Sequence, residues 1–236
     1  MNSGSLLDLP ASGRGMPPAG AVSVAEGVRR LACGEVVMLR ADPGDPGRFD
    51  LVAAADRLTT IQTAFLVRHT SGFLQVALRD SRAETLQIPP VAPGADRLAS
   101  QQCVGVDAAE GIGTGISAAD RSRTIALLGS PATTRENLTR PGHVLPVRVA
   151  AHPRRHDSAA IALDLAERAG SIAAVFATVV SADPYASGLS DAEAARFAAE
   201  FGLTIISDSD LADVARLRTV TDSPARVPTP AMTTNP

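Results

Sequence analysis

The sequence contains no lysine and no tryptophan, a single tyrosine and two cysteines in 236 residues. All 22 of its basic side chains are therefore arginine. That excludes a Schiff-base lysine and a phosphate-loop lysine, because both chemistries need a primary amine. Cys33 and Cys103 are too few for a disulfide framework, and no C-x-x-C pair offers a zinc site. They read as structural thiols in a reducing cytosol, which gives a cytoplasmic protein. No apolar run reaches the ~18 residues of a membrane span, and no basic-then-apolar leader opens the chain. A net charge of −3 gives no electrostatic case for nucleic acid or an anionic membrane as partner.

What is present suits one globular core: 45% hydrophobic and 20% charged residues in a chain long enough to bury it. Residues 1–20 are rich in Gly, Pro and Ser and read as a flexible lead. Residues 21–217 read as the folded domain, and 218–236, rich in Pro and Thr, as a disordered tail. Val24, Val28 and Leu31 at helical spacing predict a helix over 22–32, ended by Gly34. A short strand follows at 36–39, an Ala-rich helix at 51–59, and strands at 64–68 and 73–78 joined by the turn 69–72. The stretch 87–98 is irregular. Strands are expected at 103–107 and 144–149, with a helix at 119–128 between them. Ser158 is read as the cap of a helix over 158–169 that Gly170 stops, and Ser190 as the cap of another over 191–201. A β-rich run spans 172–180, a strand 204–206 and a last helix 208–217. Strands and helices mix without a strict β-α-β repeat, so the fold class is α+β, a single domain with a mixed sheet and flanking helices.

Two blocks carry the chemistry. Gly113-Thr114-Gly115-Ile116-Ser117-Ala118-Ala119-Asp120-Arg121 precedes Arg140-Pro141-Gly142-His143-Val144-Leu145-Pro146. In order and spacing the pair resembles the 3,4-dihydroxy-2-butanone 4-phosphate synthase family, over residues 22–217. That family converts ribulose 5-phosphate to a four-carbon ketone phosphate plus formate, feeding riboflavin synthesis. The resemblance implies an α+β fold, a homodimer with the pocket at or near the subunit interface, Mg²⁺, and no organic cofactor. The reaction needs a base beside a carbonyl, metal ions to hold the enediolate, and a cationic cradle for phosphate.

The family's acidic loop, D-x-x-D-R-E-x-E-G-D, aligns without a gap so that its last Asp is Asp50. Its Arg then falls on Asp45, its metal-binding Glu on Pro46, the next Glu on Arg48 and the Gly on Phe49, while acids remain at Asp42 and Asp50. The family's G-H-T-E-A helix start aligns through Asp164-Leu165-Ala166 and Ala169-Gly170. Its His, Thr and Glu fall on Ser158, Ala159 and Ala160, its phosphate-binding Arg on Arg155, and a later catalytic Glu near Thr178 or Val179. The resemblance thus implies Asp50, Thr114 and His143 near the sugar, and His69, Ser71, Ser117, Asp120, Arg121 and Arg155 as substrate or phosphate contacts. The usual Mg²⁺ ligands are replaced, which leaves Asp42 and Asp45, together with Asp50 and Asp157, as candidate oxygen ligands.

Each of these residues has a plainer reading. His143 serves equally as a structural histidine, Asp120-Arg121 as a helix-start ion pair and Arg154-Arg155 as a solvated basic pair. Three functions stay open: a divergent enzyme on a small phosphorylated substrate, a non-catalytic paralog that binds or stabilises a partner, and a true synthase with displaced ligands. Arg155 just ahead of a helix start near Ser158 is expected to form an anion site from guanidinium and free backbone N–H groups.

Overall fold

The computed structural model describes residues 19–40, 47–92, 99–151, 157–183, 185–186, 188–207 and 210–211. The expectations for Asp42, Asp45 and Arg155, for the two terminal segments and for most of the last helix lie outside the described residues. The elements in chain order are α1 (Ala19–Ala32), β1 (Val37–Arg40), β2 (Phe49–Ala54), α2 (Thr60–His69), β3 (Gln75–Arg79), α3 (Asp80–Thr85), β4 (Gln101–Gln102) and β5 (Val106–Ala108). They continue with α4 (Ala118–Leu128), a 3₁₀ turn (Arg135–Asn137), β6 (Leu138–Val149), α5 (Ser158–Arg168), β7 (Ala173–Thr178), α6 (Asp191–Phe201) and β8 (Ile205–Ser207).

The strands form one sheet in the order β4-β6-β3-β7-β2-β1-β8, with β5 paired to β6. β3 runs parallel to β6 and β1 parallel to β8, while β2 is antiparallel to both β1 and β7. The sheet is therefore mixed, in agreement with the α+β reading. Helices cover both faces. Leu51, Ala53, Val76, Leu78, Val175 and Ala177 pack under Leu66 of α2, Ile125 and Leu128 of α4, and Ala194 and Ala198 of α6. Val52, Ala77, Ala174 and Phe176 point the other way, against Val24 and Leu31 of α1 and Leu163 and Leu165 of α5.

That double cover explains two corrections. Residues 51–59 are not a helix: every residue of β2 is buried, and a strand covered on both faces loses its alternation and reads as a short apolar run. Residues 64–68 are not a strand but the body of α2. Thr59 caps that helix in a capping box with Gln62, and the β-prone Phe65, Leu66 and Val67 are overruled by it and by packing. Asp157, not Ser158, is the cap of α5. The Ser190 cap of α6 stands, closed into a box by Glu193. The short α3 and the pairing of β5 with β6 had no signal in the local pattern.

Cys33 is exposed and Cys103 is buried, with burial pushing the Cys103 thiol up to about 11. Only a thiolate attacks a disulfide reagent. In native protein a thiol-titrating reagent is expected to label Cys33 quickly and Cys103 only on unfolding. Two equally fast thiols would contradict the burial.

Candidate functional site

Alternation along the central strands turns a set of polar residues toward α5. Asp50 lies on the same side of β2 as Val52, and its register partner across the ladder is Thr178 of β7. The Thr178 hydroxyl donates to Asp50 Oδ1 at 2.6 Å. Asp50 is 0% exposed, and its Oδ2 has no hydrogen-bond partner. Arg48, two residues earlier on the same side, brings Nε to 3.5 Å from that oxygen. A buried carboxylate with a half-used acceptor is costly unless charge or a ligand balances it. Arg48, Gln75, Ser100, Gln102, Asp157 and Ser158 line a cavity of about 360 Å³ beside this pair. Ser158 is 5% exposed, and its Oγ has no hydrogen-bond partner.

The head of α5 differs from its expected form. Asp157 Oδ1 accepts from Ala159 N and Ala160 N at 3.1 and 3.2 Å, and Oδ2 accepts from Ser100 N at 2.9 Å. The first-turn N–H groups expected to face a phosphate are held by the chain's own carboxylate.

Mg²⁺ does not fit the described residues. It requires several hard oxygen ligands in a near-octahedral shell. Among the described residues no three His, Cys, Asp or Glu side chains converge on a point. Around the cavity the guanidinium of Arg48 already stands against the Asp50 carboxylate, and the other side-chain oxygens on the described lining belong to Gln75, Gln102, Ser100, Ser158 and the capping Asp157.

A second cluster joins β5, β6 and the start of α4. Asp107, 6% exposed, accepts from His143 N at 2.9 Å and holds His143 Nδ1 at 2.7 Å from its other oxygen. With Nδ1 turned inward, Nε2 of the half-exposed ring is left outward. Gly115, at φ +81°, lies against this pair, and a Cβ there would overlap the Asp107 carboxylate. Asp120 ties the loop down by accepting from Gly113 N at 3.2 Å and Gly115 N at 3.0 Å. Ser117 caps α4 by accepting from Asp120 N at 3.0 Å. Thr114 is thereby displayed, exposed, on a loop fixed at both neighbouring glycines. Asp120 acts as a loop clamp, and no ion pair with Arg121 is present among the described residues.

Arg121 links the two clusters. Its guanidinium donates to Gly72 O at 3.0 Å, and the adjacent Ser71 N donates to Thr178 O at 2.9 Å, one residue's width from Asp50. Burial pushes the Arg121 guanidinium below its usual value. The Ser71 hydroxyl is used within the turn, accepting from Phe73 N at 3.3 Å. His69 lies elsewhere. It stacks with Phe65, Phe197 and Phe201 at centroid distances of 4.6, 5.7 and 4.8 Å, beside a separate cavity with Arg68 and Glu193.

Sequence reasoning missed Asp107 and Gln75 as site residues, and took Asp157 as a possible metal ligand rather than as the cap of α5. Asp107 carried a usable signal, an acid between Val106 and Ala108 in an apolar strand, where a charge needs a partner. Asp157 carried another, because Asp is as good a helix cap as Ser.

The model of the 3,4-dihydroxy-2-butanone 4-phosphate synthase family matches residues 25–214. Riboflavin biosynthesis protein RibBA of Mycobacterium ulcerans is 37% identical over 198 residues, which is 82% of this chain and 47% of that protein. The RibBA protein of Mycobacterium tuberculosis matches to the same extent. The chain thus spans about half the length of these relatives. Among solved structures, the Candida albicans synthase is 30% identical with a TM-score of 0.74, covering 81% of this chain and 96% of that one. A synthase in complex with two magnesium ions is 28% identical with a TM-score of 0.74, covering 84% and 97%.

Proposed function

The chain belongs to the 3,4-dihydroxy-2-butanone 4-phosphate synthase family, and on that premise we propose that it is a lyase-type enzyme. Its substrate is a ribulose-5-phosphate-like sugar phosphate or related small acid, and its chemistry is altered from the family's. The observation that carries this reading is the cavity beside the Arg48–Asp50 pair, with a buried carboxylate oxygen and a buried hydroxyl that no hydrogen bond uses on one side of the sheet. Unspent hydrogen-bonding capacity of this kind weakens a fold and is retained where a ligand uses it.

In this reading Asp50 Oδ2 accepts a substrate proton, and Arg48 supplies the positive charge that steadies the anion left behind. His143 presents Nε2 to the sugar, positioned through Nδ1 by Asp107. Thr114 and Ser117 contact hydroxyls from the loop that Asp120 clamps. Arg155 is the proposed phosphate contact. The Thr114 loop also exposes Ile116, an apolar side chain that a second copy of the chain would cover in a homodimer with a shared pocket. Light scattering at micromolar concentration is expected to give the dimer mass, and a monomer would reject this.

A non-catalytic role is the second reading, favoured by the carboxylate at the head of α5. The deciding experiment incubates the protein with ribulose 5-phosphate and Mg²⁺, and follows formate enzymatically and the phosphate ester by ³¹P NMR. The expected result is conversion of the ester without formate. Formate turnover on the order of 0.1–1 s⁻¹ or more would establish an unaltered synthase. An unchanged ester would favour the non-catalytic reading.

A further inference from the structure

A second cavity, of about 440 Å³, opens on the other face of the sheet from Asp50. Val179 lies at its base, among the residues that pack under α2 and α6, whereas Asp50 and Thr178 are turned toward α5. Arg68 and His69, at the end of α2, form one wall. Helix α6 forms the other and turns Glu193, Arg196, Phe197 and Glu200 to the cleft, the i, i+3, i+4, i+7 spacing of one helical face.

These walls divide into groups that the fold uses and groups that it leaves open. Glu193 is used: it closes the cap of α6, where Oε2 accepts from Ser190 N and Ser190 Oγ at 2.8 and 2.7 Å. Those bonds hold its carboxyl below the usual carboxylate range. Phe197 is fixed by edge contact with His69 and by Phe201, 4.8 Å away between ring centroids. Arg68, Arg196 and Glu200 are open. All three are exposed, and among the described residues none has a hydrogen bond or an ion pair, although the charge of Arg196 reaches Glu193.

A lone surface arginine is solvated and calls for no partner. Two that flank an aromatic wall, with a free carboxylate one helical turn beyond, describe the shape of a ligand. Guanidinium groups grip a phosphate, the Phe197–His69 wall suits a flat ring, and a carboxylate accepts from an N–H donor. A sugar phosphate meets the first of these demands and leaves the aromatic wall uncovered. A nucleotide meets all three.

We propose that this cleft binds a nucleotide: a flat, amino-bearing heteroaromatic ring lies against Phe197 and His69, its exocyclic N–H donates to Glu200, and its phosphate is held by Arg68 and Arg196. The occupant is a second ligand, on the opposite side of the sheet from the pocket read as the sugar site, so the proposal stands apart from that reading.

The test titrates the protein with adenosine 5′-monophosphate, with adenosine, which lacks the anion, and with ribose 5-phosphate, which lacks the ring. Calorimetry is expected to give the monophosphate an affinity at least about tenfold above either control. Arg68→Gln and Arg196→Gln change exposed side chains, so the melting temperature stays within about 2 °C of wild type. Each is expected to weaken the monophosphate at least about fivefold and adenosine less than about twofold. Amide signals of Ser181, Ala182 and Phe197 are expected to move on titration. Absence of saturable binding by wild type at millimolar monophosphate overturns the inference. So does ribose 5-phosphate binding as tightly as the nucleotide, or a nucleotide affinity unmoved in both variants. Shifts at Gln75 and Ser100 in place of Ser181 and Phe197 overturn it as well, by putting the nucleotide in the Asp50 cavity.

Discussion

Gly142→Ala is expected to cost about 3 kcal/mol or more and to lower the melting temperature by roughly 6–12 °C. Gly142 lies in β6 where β5 passes closest, at the irregularity between Val106 and Asp107. A Cβ at this position would overlap the carbonyl carbon of Val106 and the amide nitrogen of Asp107. Both are main-chain atoms of a paired strand, so no rotamer change relieves the clash. Gly105 has the reciprocal role, since a Cβ there would overlap the Gly142 carbonyl oxygen. The same close approach carries the Asp107 carboxylate to the main-chain N–H of His143. Loss of stability should therefore come with loss of the ordered His143 ring, seen as a changed imidazole ¹⁵N signal. A Tm within about 2 °C of wild type would show that the strands separate at little cost.

The second large effect is expected from Arg48→Met. Removing one member of a buried pair leaves the other charge uncompensated, which typically costs 3–5 kcal/mol. Arg48 is 41% exposed at its side chain, so water shares in neutralising Asp50, and about 2 kcal/mol is the expected loss. Asp50→Asn in the same background removes the stranded charge and keeps an oxygen for the Thr178 hydroxyl. The double variant should recover most of the stability while ligand binding stays lost. Urea unfolding of wild type, both single variants and the double variant yields the coupling. Independent, additive effects would mean that Arg48 does not balance Asp50.

The sequence was legible where one local rule decided the outcome. Ser190 announced a helix start, and its cap is formed. The Gly113–Arg121 block was legible as a site by its resemblance, and in the structure its Gly115 lies against Asp107 and His143. It was illegible where tertiary cover decided. The alanines of β2 fit a helix or a strand equally, and only helices on both faces of the sheet select the strand. Asp107 was missed because its partner His143 is 36 residues away, and the tie of Asp157 to Ser100 because the two are 57 residues apart. Periodicity has no access to pairings at that separation. The partition of the site into an Asp50 group and an Asp107–His143 group likewise follows from strand order, which no local window contains.

The parallel pairing of β1 with β8 also bears on how the chain is made. Met38 is in register with Ile205 and Leu39 with Ile206. Helix α1 depends on that distant strand: Ser23 Oγ donates to Ile205 O at 2.8 Å, Arg30 donates to Gly202 O at 2.9 Å, and Gly27 leaves room for the Ile206 side chain. Its other apolar contacts include α5, which also comes late in the sequence. During synthesis, at about 5–20 residues per second, α1 therefore waits some ten to thirty seconds with its apolar stripe uncovered. Helix α1 is thus made early and finds its place late, and closing the β1–β8 seam is a late, long-range step in folding.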